Sequence, residues 1–493
     1  MGVLQNIKPE TVFRFFEKLC GIPHGSSDTN KVSEYLCEFA GLKNLVYERD
    51  VLGNVIIKKP GTQGYEQSEP VILQSHIDMV CEKETDCDID FSKDGLRLML
   101  SGNEISADKT TLGGDDGIGV AIMLAILDAE DIAHPPIEAV FTVDEEIGML
   151  GAAGLDYSKL SAKRMLNLDS EEEGHLLVGC AGGATAVLRV PVEFEVFSGS
   201  YSMVKITVSG VTGGHSGVEI NRQGANAAKL LGRLMKALYD RTTVRFVELH
   251  GGMKDNVIMK EASTQCILVE EDGEEKLNEL VEQYLQIYQN EYGKTDEQLA
   301  VSVEVLVPWR KRAEMVCMSH ASTRHVIDVL VALPNGVQCM SRDIEGLVQS
   351  SLNLGIIKTL DGNAQGNVLL CSSVRSSVSS EKEELIERIK SIADLVGGDV
   401  TIRGDYPAWE YKQESKLREL MTDIYQTMYG KKPVVEVIHA GLECGLFSDA
   451  ISGLDCVSYG PWIYDIHTTK ERLLVDSVQR VWEYTIEVLK CMK

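Results

Sequence analysis

Residues 142–148 read TVDEEIG, with Asp144, Glu145 and Glu146 in a row directly after the apolar run IEAVF. Carboxylates packed against a buried strand are costly unless something offsets their charge. Four other stretches set comparable groups at the ends of strand-like or helical segments. SHID at 75–78 carries His76 and Asp78, which point to one face of an extended chain. A carboxylate at that spacing can orient the second ring nitrogen of a metal-bound histidine. LGGDDGIG sets Asp115 and Asp116 among Gly113, Gly114 and Gly117 where a helix opens; the helix dipole accounts for one acid but not for two. NLDS carries Asp169, and DIHTTKER carries His467. Taken alone, each stretch has a plainer explanation: an exposed strand end, a cap or a solvated turn.

Taken together, His76, Asp115, Glu146, Asp169 and His467 offer two imidazoles and three carboxylates. That donor set suits two borderline divalent ions, with one carboxylate bridging and one histidine and one acid on each side. Zinc is the expected ion, with cobalt or manganese able to substitute. Adjacent residues on a strand face opposite ways, so Glu145 and Glu146 are expected to divide the work. One could bind metal while the other faces a metal-bound water and takes its proton.

Something must bring these distant groups together. Two helices are read across residues 8–40: Pro9 suits a first turn, and Val12, Phe15, Phe16 and Leu19 recur at helical spacing. Ser27 or Asp28 is the expected cap of the second helix. VLGNVIIKK, PVILQSHIDMV, IEAVFTVDEE and RMLNLDS read as strands, rich in apolar and β-branched residues. Between them DDGIGVAIMLAILDAED is apolar nearly all round, hence a helix buried on both sides. This rhythm predicts an α/β catalytic domain with a mixed, largely parallel sheet covered by helices on both faces and ligands at the carboxyl ends of its strands. From about 185 to 405 the texture is α+β, with an amphipathic strand YSMVKITVSGV, a helix GANAAKLLGRLMKAL and a helix SEKEELIERIKSIADLVGG opened by a capping box from Ser380 to Glu383. The expected organisation is a catalytic domain at 1–184, an α+β lid domain at 185–404 that could comprise two similar halves, and the rest of the catalytic domain at 405–493.

The chain has 493 residues, long for one core at about 150 residues per domain. With 44% hydrophobic and 25% charged residues it is an ordinary globular sequence rather than a disordered one. A net charge of −27 would repel a phosphate backbone, so no nucleic-acid partner is expected. No apolar run has membrane-spanning length, and MGVLQNIKPETVFRFFEKL lacks the features of a secretory signal, so no membrane partner is expected. The 12 cysteines include no C-x-x-C pair and read as scattered thiols of a reducing compartment. A cytoplasmic protein is expected.

In chain order, SHIDMV, GGDDGIG, TVDEEIGMLGA, LNLDSE and IHTTKE resemble the co-catalytic zinc peptidase family of aminoacylases, glutamate carboxypeptidases and bacterial dipeptidases. GIPHGSSD, GGHSGVEI, GDYPAWEYK and IHAGLECGLF are similar to its dipeptidase branch, and the likeness covers nearly the whole chain. The resemblance implies that His76 and Asp169 hold one zinc, Glu146 and His467 the other, and that Asp115 bridges them. Asp78 would orient His76, Glu145 would be the general base, and the Asp115–Asp116 peptide would be cis. In many relatives a lysine follows the second aspartate; here Gly117 does. His215 in GGHSG would stabilise the oxyanion, and Asn256 in GGMKDNVI would contact the substrate, a short peptide. Arg375 in SSVRSS could pair with a terminal carboxylate, and His439 and Gly441 would form a loop at the pocket floor. The implied activity is hydrolysis of dipeptides, foremost of the Xaa-His type, by a homodimer. A tripeptide aminopeptidase or an N-acyl amino acid deacylase is the alternative within the family. A non-catalytic peptide-binding relative would be expected to lack the general base, and Glu145 is present.

Overall fold

The computed structural model of the chain describes residues 2–360 and 364–493. It divides into two compact units. Unit 1 holds the chain up to Cys180, Trp409–Val437 and Leu442–Lys493; unit 2 holds Ala181–Ala408 and Ile438–Gly441. The segment around His439 and Gly441, expected from sequence to belong with residues 405–493, falls in unit 2. It groups with unit 2 because the backbone N–H of Ala181 donates to the carbonyls of Ile438 and Ala440, both at 3.1 Å.

Unit 1 is built on an eight-stranded sheet, in the order Val46–Arg49, Val55–Lys59, Ile137–Thr142, Val71–His76, Arg164–Asn167, Asp455–Ser458, His175–Cys180, Val434–Ile438. The four strands from Ile137–Thr142 to Asp455–Ser458 run parallel, and the neighbouring strands on either side pair antiparallel. The sheet is mixed and parallel at its centre. Every residue of Val71–His76 and Ile137–Thr142 is buried, as in strands covered on both faces. The helix Gly114–Asp128 is buried along almost its whole length and packs against Val71–His76 and the helix Glu10–Cys20. That helix presents Val12, Phe13, Phe15, Phe16 and Leu19 inward.

Parallel register brings the carboxyl ends of the strands to one edge. His76 stands opposite Thr142, Gln74 opposite Asn167, and Asn167 opposite Ser458. The strand that leads into TVDEEIG stops at Thr142. Asp144 takes a left-handed conformation, φ 55°, and turns the chain. Glu145 and Glu146 therefore lie beyond the strand, and the turn rather than strand alternation sets their directions. A smaller four-stranded antiparallel sheet, in the order Ile463–Tyr464, Arg472–Leu474, Glu104–Ala107, Leu98–Ser101, carries His467 on the loop joining its first two strands.

Unit 2 is an α+β body around the 28-residue strand Gly182–Ser209. Along its length this strand pairs antiparallel with Gln365–Ser376, Asp399–Tyr406, Ala262–Leu268 and Ala300–Met318. The helices Ala227–Tyr239, Gly273–Tyr292, His320–Ala332 and Ser379–Leu395 supply Leu231, Leu234, Leu277, Ile327, Leu330 and Leu385 to one core. Two expected caps do not form. The last of these helices already begins at Ser379, which leaves Ser380 inside its first turn, and the helix Asn30–Leu42 is preceded by Thr29 rather than by Ser27 or Asp28. The cysteines are free thiols, and among the described residues no helix is long and apolar enough to cross a membrane.

Candidate metal centre and substrate groups

All five sequence-selected ligands lie in unit 1, and five separate chain segments bring them to one place. Asp115 is central. Its Oδ1 stands 3.1 Å from His76 Nε2, and its Oδ2 stands 3.1 Å from His467 Nε2. His76 Nε2 is also 3.6 Å from Asp169 Oδ1, and His467 Nε2 is 2.9 Å from Glu146 Oε1. One carboxylate thus divides its oxygens between two histidines, each of which has a second acid beside it. Asp115, Glu146 and His467 offer ligand atoms all within 4.8 Å of one another, and so do His76, Asp116 and Asp169. The Asp115–Asp116 peptide is cis.

The electrostatics call for cations. Only the two histidines form ion pairs with these carboxylates among the described residues; no lysine or arginine does. Hydrogen bonds to Asp115 and Glu146 push His467 up to about 11. Burial would lower His76, but the charge of Asp169 and the bonds to Asp115, Asp169 and Asp78 hold it well above its ordinary value. Burial raises the Glu145 carboxyl well above its ordinary value, with the charge of Asp169 adding to the effect. Crowded acids that turn histidines into strong bases fit sites for divalent cations, whose charge would replace those protons.

Asp78 does more than the sequence suggested. It is buried, with Oδ1 3.4 Å from His76 Nδ1. It also accepts the backbone N–H of Glu145 at 2.9 Å, that of Glu146 at 3.3 Å, and the Ser26 hydroxyl at 2.8 Å. Burial alone would raise its carboxyl, yet the His76 ring and these donors hold it below the usual range. One side chain therefore fixes both His76 and the turn bearing Glu145 and Glu146.

Other acids surround the cluster that the sequence reading did not assign. Glu171 shares a group with Asp115 and Asp169, and burial pushes its carboxyl up to about 8. Its position two residues after Asp169 is the signal that singled out Asp78 after His76. Asp116 accepts a hydrogen bond from the Ser75 hydroxyl. Glu443, fully buried, accepts from Gln74 Nε2 and Thr142 Oγ1, both at 2.6 Å, beneath the strand ends that carry the ligands. Glu471 accepts backbone N–H groups of the loop ahead of Asp115. Nothing in periodicity marks a residue whose partners are main-chain amides.

The sequence-selected substrate groups, His215, Asn256, Arg375, His439 and Gly441, all lie in unit 2. Gly214–His215 pairs with Val257–Ile258, which sets Asn256 beside the histidine loop, and Ser216 N–H donates to the Asn256 carbonyl at 2.9 Å. The backbone N–H of Gly217 donates to His215 Nδ1 at 3.1 Å. In the neutral ring that bond leaves the proton on Nε2 as a donor. Burial, helped by the Arg375 charge, lowers His215 below its ordinary value and keeps the ring neutral. Arg375 stands opposite Ser351 in the sheet and donates to the Tyr406 hydroxyl at 3.1 Å, while its Nε has no partner. The Ser351 hydroxyl lies 2.7 Å from His439 Nε2. Burial and the Arg375 charge hold His439 down to about 3, so it stays neutral, and its Nδ1 has no partner. A Cβ on Gly441 would come within 2.8 Å of the Tyr406 ring.

The model of peptidase family M20/M25/M40 matches residues 72–490. A cytosol non-specific dipeptidase of Escherichia coli (strain K12) is 36% identical over 490 residues, covering 99% of each chain. The crystal structure of an aminoacylhistidine dipeptidase from Vibrio alginolyticus matches with a TM-score of 0.89 at 35% identity, over 99% of this chain and 98% of that one. An aminopeptidase from Bacillus cereus ATCC 10987 shares the fold, with a TM-score of 0.59 at 16% identity over 99% of both chains.

Proposed function

The chain belongs to peptidase family M20/M25/M40, and on that premise we propose that it is a dinuclear metal-dependent dipeptidase that accepts Xaa-His dipeptides among its substrates. The observation that carries this reading is Asp115 dividing its two oxygens between His76 and His467, each with an acid of its own. His76 and Asp169 would hold one ion, Glu146 and His467 the other, with Asp115 shared. Bound zinc, for which cobalt or manganese could substitute, supplies Lewis acidity that lowers the pKa of water and polarises the scissile carbonyl.

The remaining chemistry falls to the chain's own groups. Asp78 holds the Glu145 backbone in place, and no hydrogen bond to the Glu145 carboxylate is formed among the described residues. Glu145 is therefore free to take a proton from the attacking water and to return it to the leaving amine. His215, with Nε2–H as donor, would steady the negative charge that develops on the carbonyl oxygen. Arg375 would engage the terminal carboxylate of the substrate in a two-pronged contact, and Asn256 would bind its peptide group. The neutral His439 and the loop at Gly441 would complete the substrate groups of unit 2. The likeness to a cytosolic enzyme supports a cytoplasmic setting, and a homodimer is the working form in this reading.

Replacing the base tests the proposal. Glu145→Gln should lower kcat on Xaa-His dipeptides by several orders of magnitude, with the metal content of the purified protein unchanged. Turnover near that of the parent would remove Glu145 as the base. Tripeptides and N-acyl amino acids assayed beside the dipeptides should be poor substrates.

A further inference from the structure

LGGDDGIG holds more glycine than a helix start requires, and a distant glutamate accounts for the first two, Gly113 and Gly114. Glu471 is 2% exposed. Its Oε2 accepts the backbone N–H of Leu112 at 2.7 Å and of Gly113 at 3.1 Å. Its Oε1 accepts that of Gly114 at 2.7 Å, with Asp115 N at 3.4 Å. Consecutive amides of one loop thus converge on a single carboxylate, which has lone pairs enough for all of them. The glycines make the approach feasible. A Cβ on Gly114 would stand 3.1 Å from Glu471 Oε1, and Gly113 adopts φ 64°, a conformation that side chains rarely take.

The rest of the geometry ties this grip to the ligands. Glu471 sits on the same hairpin loop as His467, and its own N–H donates to the Thr468 carbonyl at 3.2 Å. The strand that follows it, Arg472–Leu474, pairs with Glu104–Ala107, from which the chain runs on to Leu112. The loop bearing His467 and the loop bearing Asp115 are therefore joined twice, once through the small sheet and once through Glu471. The second link ends on the residue whose oxygens face both His76 and His467.

We propose that Glu471 is the positioning residue of the metal centre, gripping the backbone of residues 112–115 so that Asp115 presents one oxygen to each ion. The inference rests on the dinuclear reading above. Outer partners of this kind typically contribute 10- to 100-fold to metal affinity.

The test strips parent, Glu471→Gln and Glu471→Asp of metal and titrates each with Co2+. Visible absorption and the thermal midpoint are followed with and without the ion. Gln keeps the size but turns an NH2 toward the loop amides; Asp keeps the charge at shorter reach. Glu471→Gln should bind Co2+ about 10- to 100-fold more weakly, with an altered visible band and a smaller rise in midpoint on loading. Glu471→Asp should fall between it and the parent. Equal affinity and an unchanged band, with metal-free and loaded midpoints lowered alike, would make Glu471 a fold-stabilising residue and overturn the proposal. Failure of both variants to fold would overturn it in the same way. A parent that binds no Co2+ would instead defeat the metal reading on which it stands.

Discussion

The side chains proposed to hold metal were legible in the sequence because they are chemically distinctive and stand at the ends of strand-like or helical segments. His76, Asp115, Glu146, Asp169 and His467 were picked out by residue type and by position at segment ends, the family resemblance assigned them to two ions, and they converge. Residues that brace the ligand-bearing segments were not legible: Glu471, which grips main-chain amides, and Glu443, which accepts from the Gln74 and Thr142 side chains, look like any glutamate until their donors are in place. Arg375 tests the substrate groups at this scale. Its Nε is buried and unpartnered, and its Nη1 is committed only to a neutral hydroxyl. A guanidinium with donors to spare suits a carboxylate, and hydrogen bonds to a charged group contribute about 1.5–3 kcal/mol each. Arg375→Lys keeps the charge but loses the fork. It should lower kcat/KM for dipeptides roughly 10- to 100-fold, chiefly through KM, while activity on a dipeptide amide, which lacks that carboxylate, should hardly change. Equal losses on both substrates would assign Arg375 to the fold.

Among elements, the helix Gly114–Asp128 was the easiest to read, because a segment apolar all round has nowhere to go but the interior. The strand Gly182–Ser209 was read only in its second part. The polar stretch SGS within it looks like a break, yet the chain runs straight on because its partners change along its length. Two glycines show how the setting of a helix decides the effect of one change. Replacing a helical glycine by alanine gains about 0.5–1 kcal/mol from propensity alone. At Gly41, in the helix Asn30–Leu42, a Cβ meets nothing within 4 Å, so Gly41→Ala should raise the thermal midpoint. At Gly119 the Cβ would press on the Asp116 carboxylate and stand 2.7 Å from the Ser75 hydroxyl. Relieving that crowding in a close-packed interior costs about 1–3 kcal/mol, more than the propensity gain. Gly119→Ala should therefore lower the midpoint and disturb the Asp116 side of the acid cluster. Calorimetry on both variants checks the pair of opposite signs.

At the scale of the whole molecule, a net charge of −27 and a buried knot of acids without lysine or arginine partners among the described residues act together. Bulk charge was readable from composition, whereas the concentration of acids in one unit required the fold. All the proposed ligands belong to unit 1, and unit 2 has a separate core of its own. Metal should therefore stabilise unit 1 selectively. An ion at a thousand times its dissociation constant adds about 4 kcal/mol to the state that binds it. For a body of this size each kcal/mol moves the midpoint by roughly 2–4 °C. Dialysis against a chelator should abolish dipeptide hydrolysis and shift one calorimetric transition down by about 10 °C, leaving the other in place, and added zinc should reverse both effects. Low ionic strength should speed reloading, because the negative field draws divalent cations toward the protein and salt screens it. A chelated protein that kept full activity and an unshifted trace would mean that the acids are neutralised by protons alone, and the case for a resident metal would end there.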